Sequence, residues 1–185
     1  MKRGFVRIIG GEWRGRRLKI ASVPSLRPTP DRIRETLFNW LAPIIHQAHC
    51  LDVFSGTGVL GFEALSRGAA SVVMIDQSPI VIDMLKEMQI LLDATKAHIY
   101  RAKAPKQLRP PEHPFDIVFL DPPYDSTLLL PCCFYLEEQA WLAPSAYIYL
   151  EARRIIQDNE LPRNWQIVKC QQAGQVVYHL ARRVD

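Results

Sequence analysis

The sequence has no long hydrophobic run, and this absence excludes an ordinary membrane protein. No apolar stretch approaches the roughly 20 residues that a helix needs to span a bilayer. Met1 to Arg7 also lack the longer apolar segment and small-residue cleavage site of a signal peptide. The 185 residues are 48% hydrophobic and 23% charged, which is typical of a globular protein with a real core. We therefore expect a cytoplasmic protein without a membrane partner.

Cysteine and histidine are too few and too scattered to predict a metal site. The four cysteines match no metal-ligand spacing, and the adjacent pair cannot easily form a disulfide with itself. In a cytoplasmic setting we expect all four to be reduced thiols. These cysteines are Cys50, Cys132, Cys133 and Cys170. No repeat or low-complexity segment is present.

Acidic residues are scarce in the first 40 positions, although the whole chain carries a net charge of only +4. Those 40 residues hold ten Lys/Arg and three acidic side chains, whereas the other 145 hold thirteen basic and sixteen acidic ones. The basic residues alternate with apolar ones, which indicates a folded segment rather than a solvated tail. A basic arm on a mildly acidic body favours a polyanion partner, most simply nucleic acid.

The hydrophobic pattern predicts an α/β fold. Short strands at 5–9 and 16–20 are expected to form a hairpin, followed by a linker at 21–28. Thr29 and Pro30 predict the N-cap and first position of a helix that runs to about His46. Further strands are predicted at 51–54, 71–75, 98–100, 115–120 and 146–150, with helices at about 58–67, 79–93 and 126–140.

This alternation predicts a parallel sheet with helices on both faces. The last two strands, Trp165–Cys170 and Gln175–Ala181, have no room for a helix between them. We expect them to form an antiparallel hairpin at the edge of the sheet. The predicted division is a basic N-terminal extension at 1–28 and one catalytic domain at 29–185.

A glycine-rich turn predicts a nucleotide-like ligand. Gly56 to Gly61 fits G-x-G-x-x-G between a strand and a helix, a pattern shared with dinucleotide sites. Asp52 precedes this turn, where its charge would repel a pyrophosphate but would suit a cationic amino group. Asp76 ends the next strand and is placed to accept ribose hydroxyls, as the acidic residue of an NAD site also does. Together the two carboxylates favour S-adenosylmethionine over NAD.

The sequence Asp121-Pro122-Pro123-Tyr124 follows the apolar run 117–120 and predicts a site for a planar amine. Asp121 and the main-chain carbonyl of Pro122 can each accept one N–H, which would direct the nitrogen lone pair at an electrophilic methyl group. Tyr124 would stack on the ring that carries the amine, a contact worth roughly 1–3 kcal/mol. The proton acceptor after transfer is left open between Asp121 and water.

With both motifs present, the chain resembles the class I S-adenosylmethionine-dependent methyltransferases, and more closely the RsmD family of 16S rRNA guanine-N2 methyltransferases. The resemblance covers nearly the whole chain. It rests on segments 7–16, 27–40 (Arg27-Pro28-Thr29 and the following helix), 51–58 and 121–124, and on Gly174-Gln175-Val176. The resemblance implies a Rossmann-like sheet of seven strands with a reversed last strand. It also implies an acceptor guanine in an rRNA loop, where a base can be splayed out without breaking a duplex.

The resemblance and the two motifs together define the expected site residues. We expect Asp121, Pro122 and Tyr124 to be catalytic. The expected cofactor-binding residues are Asp52, Phe54, Ser55, Gly56, Gly58, Asp76, Gln77, Lys103 and Ala104. The expected RNA-contacting residues are Arg7, Arg14, Arg16, Arg27, Thr29 and Arg32. The partner would be 16S rRNA in the small ribosomal subunit or its assembly intermediate, bound by a monomer.

One position departs from the family pattern. Lys103 stands where the family has Asn or Asp in contact with the adenine amino group. Because a lysine cannot accept that N–H, adenine recognition is expected to rest on main-chain groups. The alternatives are a DNA adenine-N6 or cytosine-N4 methyltransferase, a non-catalytic RNA-binding assembly factor on the same fold, and, last, an NAD-linked oxidoreductase. The chain has no spare target-recognition domain for sequence-specific DNA work.

Overall fold

A computed structural model of the chain describes residues 4–21, 23, 28–123 and 126–184. Tyr124 and Arg27, two of the expected site residues, lie outside these ranges. In the described part of the chain, no helix is long and apolar enough to cross a membrane.

Nine strands and four α-helices make up the described fold. The strands are β1 (Phe5–Arg7), β2 (Arg17–Lys19), β3 (His49–Asp52), β4 (Ser71–Asp76), β5 (Ala97–Arg101), β6 (Phe115–Leu120), β7 (Leu142–Ala152), β8 (Trp165–Ala173) and β9 (Val176–Arg183). The helices are α1 (Asp31–Leu41), α2 (Val59–Ser66), α3 (Pro79–Leu91) and α4 (Leu129–Glu138), with a short 3-10 turn at Asp158–Glu160.

The main sheet has seven strands in the order β5-β4-β3-β6-β7-β9-β8. Strands β3 to β7 run parallel to one another, whereas β9 runs antiparallel to both β7 and β8. The predicted parallel sheet and edge hairpin are therefore confirmed, as is the reversed last strand. The chain order changes direction between β3 and β6, the position at which open α/β sheets bind ligands.

The sheet is covered on both faces because each inner strand buries side chains on both sides. On β6, Ile117 and Phe119 belong to the core beneath α1, α2 and α3. The alternate residues Val118 and Leu120 belong to the core beneath α4. The period of two along the strand thus supplies two apolar layers from one apolar run.

Several predicted boundaries were wrong in ways that have a local cause. Helix α1 ends at Leu41 rather than near His46, because Pro43 has no backbone N–H to continue the helical bonds and its ring would clash with the carbonyl four residues earlier. Its N-cap is Pro30 without a side-chain cap bond, so the predicted cap at Thr29 was wrong. By contrast, Ser78 accepts from the Val81 N–H as the N-cap of α3, with Pro79 in the first turn, as predicted.

The N-terminal hairpin is confirmed and packs on the main domain. β1 and β2 pair antiparallel, and their central residues Val6 and Leu18 are buried in the same core as α1 and α2. The flanking residues on both strands are exposed. The division of the chain at residue 28 remains a prediction.

Candidate active site

A cavity of about 530 Å³ lies at the carboxyl edge of the sheet, where β3 and β6 are adjacent. Its lining includes residues from both predicted motifs, among them Asp52, Asp76 and Asp121. Segments far apart in the chain contribute to it because parallel strands end at the same edge. The volume falls within the range of small-molecule sites.

The glycines of the turn are required by the packing around them as well as by the closeness of the cavity. Gly56 and Gly58 both have left-handed backbone conformations, with φ of 51° and 74°. A Cβ on Gly58 would lie 2.4 Å from Leu85 Cδ2 and 2.9 Å from Phe62 Cε2. A side chain at Gly58 would therefore strain the backbone and force Leu85 or Phe62 to shift, whatever ligand binds. Ser55 stabilises the turn because its hydroxyl donates to the Asp52 carbonyl and accepts from the Ile75 N–H, each at 2.9 Å.

Asp52 is a buried carboxylate with one oxygen that no described residue hydrogen-bonds. It ends β3 at 2% exposure, and its Oδ2 has no hydrogen-bond partner among the described residues. Burial raises the pKa of Asp52 to about 7, and the charge of Asp76 adds to this, whereas an N–H bond from Gly61 opposes it. An unpaired buried carboxylate oxygen is costly to fold, so a cationic or N–H-bearing ligand in the cavity would satisfy it.

Asp76 connects the glycine turn to helix α3. Its Oδ2 accepts from the Gly56 N–H at 3.1 Å and its Oδ1 from the Ser78 N–H at 2.8 Å. Burial raises the pKa of Asp76, and these N–H bonds offset part of that effect. Each carboxylate oxygen can accept more than one hydrogen bond, so both remain able to accept from a diol.

Asp121 follows β6 directly and faces the cavity beside Asp52. Thr29, expected at the RNA-contacting surface, is instead buried, and its hydroxyl donates to Asp121 Oδ2 at 3.4 Å. Burial and the charges of Glu151 and Asp52 raise the pKa of Asp121 well above its ordinary range. Pro122 is buried and lines the same cavity.

Glu151 is a site residue that the sequence reasoning missed. It lines the cavity at 6% exposure, it follows Leu150 where Asp121 follows the paired Leu120, and its Oε2 accepts from the Tyr149 hydroxyl at 2.8 Å. A signal was present: Glu151 follows the apolar run 146–150 in the same way as Asp121 follows the run 115–120.

The other expected cofactor residues line the cavity, except Gly58, which is not part of its lining. Phe54, Gln77, Lys103 and Ala104 all contribute to its lining. Lys103 is exposed, and its backbone N–H donates to Gln107 Oε1 at 3.0 Å. The backbone N–H of Lys103 therefore already has an acceptor within the protein.

Those expected RNA-contacting arginines that the structure describes lie on the N-terminal hairpin and α1. Arg7, Arg14, Arg16 and Arg32 are exposed. Arg7 lies 3.6 Å from Asp31, and Arg16 donates to the Leu91 carbonyl at 3.0 Å. Phe5 is 54% exposed on the same hairpin face as Arg7.

Comparison with known proteins places the chain in a family. A family model described as "Conserved hypothetical protein 95" matches residues 6–182. Ribosomal RNA small subunit methyltransferase D of Escherichia coli K12 is 45% identical over 180 residues, covering 97% of this chain and 91% of that protein. The protein of the same name in Haemophilus influenzae is 44% identical over 184 residues, covering 96% and 94%. The chain belongs to the RsmD family.

Solved structures agree with the RsmD assignment. An E. coli protein assigned as a methyltransferase has a TM-score of 0.87 at 45% identity, covering 98% of this chain and 99% of that one. A methylase from H. influenzae has a TM-score of 0.81 at 40% identity, covering 98% and 100%. A ribosomal protein L11 methylase from Lactobacillus delbrueckii, at 18% identity and a TM-score of 0.67, shares the fold alone. The chain thus has the class I methyltransferase fold that its sequence predicts.

Proposed function

We propose that this chain transfers a methyl group from S-adenosylmethionine to the exocyclic N2 of one guanine in 16S rRNA of the small ribosomal subunit. The observation that carries the proposal is the joint position of Asp52 and Asp121. These carboxylates end neighbouring strands and line one cavity with the glycine turn. The names of the relatives support rRNA of the small subunit as the acceptor class.

The residues of the cavity fit S-adenosylmethionine. The unpartnered Oδ2 of Asp52 suits the α-amino group of the methionine part, and Asp76 suits the ribose hydroxyls. The turn at Gly56 gives close approach to the backbone at the start of α2. S-adenosylmethionine would supply a methyl group already activated by its bond to a sulfonium sulfur.

The task of the chain is then to prepare a poor nucleophile. The lone pair of the guanine amine is delocalised into the ring, so the amine needs acceptors that favour its pyramidal form. Asp121 and the Pro122 carbonyl would accept its two N–H groups, and Thr29 helps to hold the Asp121 carboxylate in place. Tyr124 would stack on the base. Such alignment by preorganised acceptors contributes much of the rate in reactions of this kind.

The hairpin next to the cavity supports a nucleic-acid acceptor. A second cleft, of about 370 Å³, shares Pro28, Thr29 and Pro30 with the main cavity, and Phe5, Arg7 and Arg17 form its other wall. An exposed aromatic ring among guanidinium groups is the combination that binds single-stranded nucleic acid, through stacking and phosphate contacts.

The test is methyl transfer to isolated small subunits. Subunits from cells that lack the enzyme are incubated with labelled S-adenosylmethionine, and the rRNA is digested to nucleosides. Label in N2-methylguanosine is the expected result. Label in another nucleoside, or in DNA but not rRNA, would replace the acceptor we propose. Absence of label with retained rRNA binding would favour a non-catalytic assembly factor.

A further inference from the structure

The chain places a second carboxylate against the proposed catalytic one, and neither motif accounts for it. β6 and β7 are parallel neighbours with Leu120 opposite Leu150, so Asp121 and Glu151 follow at equivalent positions on the carboxyl edge. Both side chains line one cavity, and the charge of Glu151 is among the causes that raise the pKa of Asp121. Two adjacent carboxylates can bond to one another only if one of them carries a proton, since an ionised carboxylate is only an acceptor.

The surroundings of the pair favour one shared proton. Like charges at such short range cannot both ionise readily in a buried site. Asp52 faces the pair from β3, and the Thr29 hydroxyl faces it from the segment before α1. The Tyr149 hydroxyl of β7 donates to Glu151, and the ring of Tyr178 on β9 packs against Tyr149. Arg153 lines the same cavity two residues beyond Glu151.

Tyr149 fixes the position of Glu151. The Tyr149 side chain is fully buried, with its ring packed between Phe119 and Tyr178 at centroid distances of 6.5 Å each. Burial and the charge of Glu151 raise the pKa of Tyr149 well above its ordinary value, so its hydroxyl remains a donor. Glu151 therefore has a fixed donor on one side and Asp121 on the other.

We propose that Glu151 is a positioning residue that shares one proton with Asp121, so that the pair takes up the proton released by the methylated amine. This inference rests on the function proposed above. Transfer forms the N–C bond with the nitrogen lone pair, breaks the C–S bond with its electrons going to sulfur, and leaves one surplus proton on nitrogen. Asp121 receives that proton while Glu151 holds the other.

The charges balance in this arrangement. With one proton the pair carries a single negative charge, which offsets the positive sulfonium before transfer. After transfer the pair is neutral beside a neutral thioether. A lone Asp121 would also accept a proton, but without Glu151 its carboxylate would lack the group that fixes its orientation and tunes its basicity.

Glu151→Gln tests the proposal because glutamine keeps the shape and the hydrogen-bonding capacity but has no proton to share. We expect the single-turnover rate to fall at least tenfold at neutral pH, with KM for both substrates within about threefold of wild type. The pH profile of the single-turnover rate in Glu151→Gln should shift to lower pH, since Asp121 then titrates without a neighbouring carboxyl. Glu151→Asp should restore part of the rate and move the profile back. Glu138→Gln, an exposed acid at the end of α4, is the matched control.

Infrared spectroscopy gives a readout that does not depend on activity. Wild type should show a protonated carboxyl band above neutral pH that weakens in both Glu151→Gln and Asp121→Asn, provided that circular dichroism shows the variants folded. An unchanged pH profile and an unchanged band in Glu151→Gln, with wild type still labelling rRNA, would overturn the role of Glu151 and leave the proposed function standing. Failure of wild type to label rRNA would overturn both proposals.

Discussion

Arg34 of α1 and Glu63 of α2 form an ion pair with no solvent exposure on either side chain, at 3.4 Å between Nη1 and Oε2. Glu63 also accepts from the backbone N–H groups of Ile9 and Gly10 at 2.9 and 2.8 Å. Arg34 donates to the Arg7 carbonyl at 2.9 Å. One buried pair therefore attaches the basic hairpin to the helix that begins at the glycine turn.

Removal of Glu63 should destabilise the protein strongly. In Glu63→Ala the buried Arg34 guanidinium loses its buried partner and two backbone N–H groups lose their acceptor. The expected loss is about 3–5 kcal/mol in the free energy of unfolding, measured by denaturant titration. Glu138→Ala, at an exposed helical position, should change stability by about 0.5 kcal/mol or less. Equal losses in the two variants would contradict a structural role for the pair.

The burial of the Arg34–Glu63 pair could not be predicted from the sequence. Arg34 counts toward the charge of the basic arm, yet its partner Glu63 lies 29 residues away, so its burial leaves no local signal. Thr29 likewise has the sequence context of a helix cap, whereas its hydroxyl bonds to Asp121, 92 residues on. By contrast, the sequence could indicate three candidate site residues, because each stands at the end of an apolar strand: Asp52, Asp76 and Asp121.

Strand and helix order could be predicted because hydrophobic periodicity is local. The lengths of the strands and helices were harder to predict. β7 runs from Leu142 to Ala152, although only 146–150 was predicted, because its first residues pair with Phe115 before a register shift. Pro144 lies within this part of β7, and because proline is uncommon inside a strand, the sequence pattern did not indicate a strand there.

Asp52→Asn should stabilise the ligand-free protein and weaken cofactor binding. The folded pKa of Asp52 is about 7, against an ordinary value of 3.8. The unfolded chain therefore ionises first, and this residue's contribution to stability falls as the pH rises from about 4 to 7. Asparagine removes that dependence, for an expected gain of about 1–4 kcal/mol at pH 8 in thermal or denaturant unfolding. A variant that is no more stable at pH 8 than wild type would contradict the burial argument.

The affinity of wild type for S-adenosylmethionine should depend on pH through the same residue. Below about pH 7 Asp52 is protonated and loses its attraction for the ammonium group, so the dissociation constant should rise as the pH falls. Isothermal titration calorimetry from pH 6 to 8 measures this. Asp52→Asn should bind weakly with a flatter pH dependence, whereas Asp76→Ala should bind weakly but keep the wild-type trend.

Asp121→Asn should separate chemistry from cofactor binding. Asparagine can still accept an N–H, but it cannot receive a proton, so we expect the transfer rate to fall by at least a hundredfold. The dissociation constant for S-adenosylmethionine should stay within about threefold of wild type, because Asp52 and Asp76 are intact. Loss of cofactor affinity together with activity would mean that Asp121 supports the cofactor side of the cavity.

Neutralisation of the hairpin should reduce the salt dependence of RNA binding. Arg7 and Arg17 are opposite each other on the exposed hairpin face beside the second cleft. If each contacts one phosphate, Arg7→Gln with Arg17→Gln should lower the slope of log affinity against log salt by about two. Arg163→Gln is the matched control, because Arg163 is exposed and precedes β8, whereas the hairpin contacts α3 beside the β5 end of the sheet. Phe5→Ala should instead weaken binding with little change in slope, since stacking releases no counterions. An equal change of slope in Phe5→Ala and the double variant would contradict the division of the hairpin face into a stacking residue and phosphate contacts.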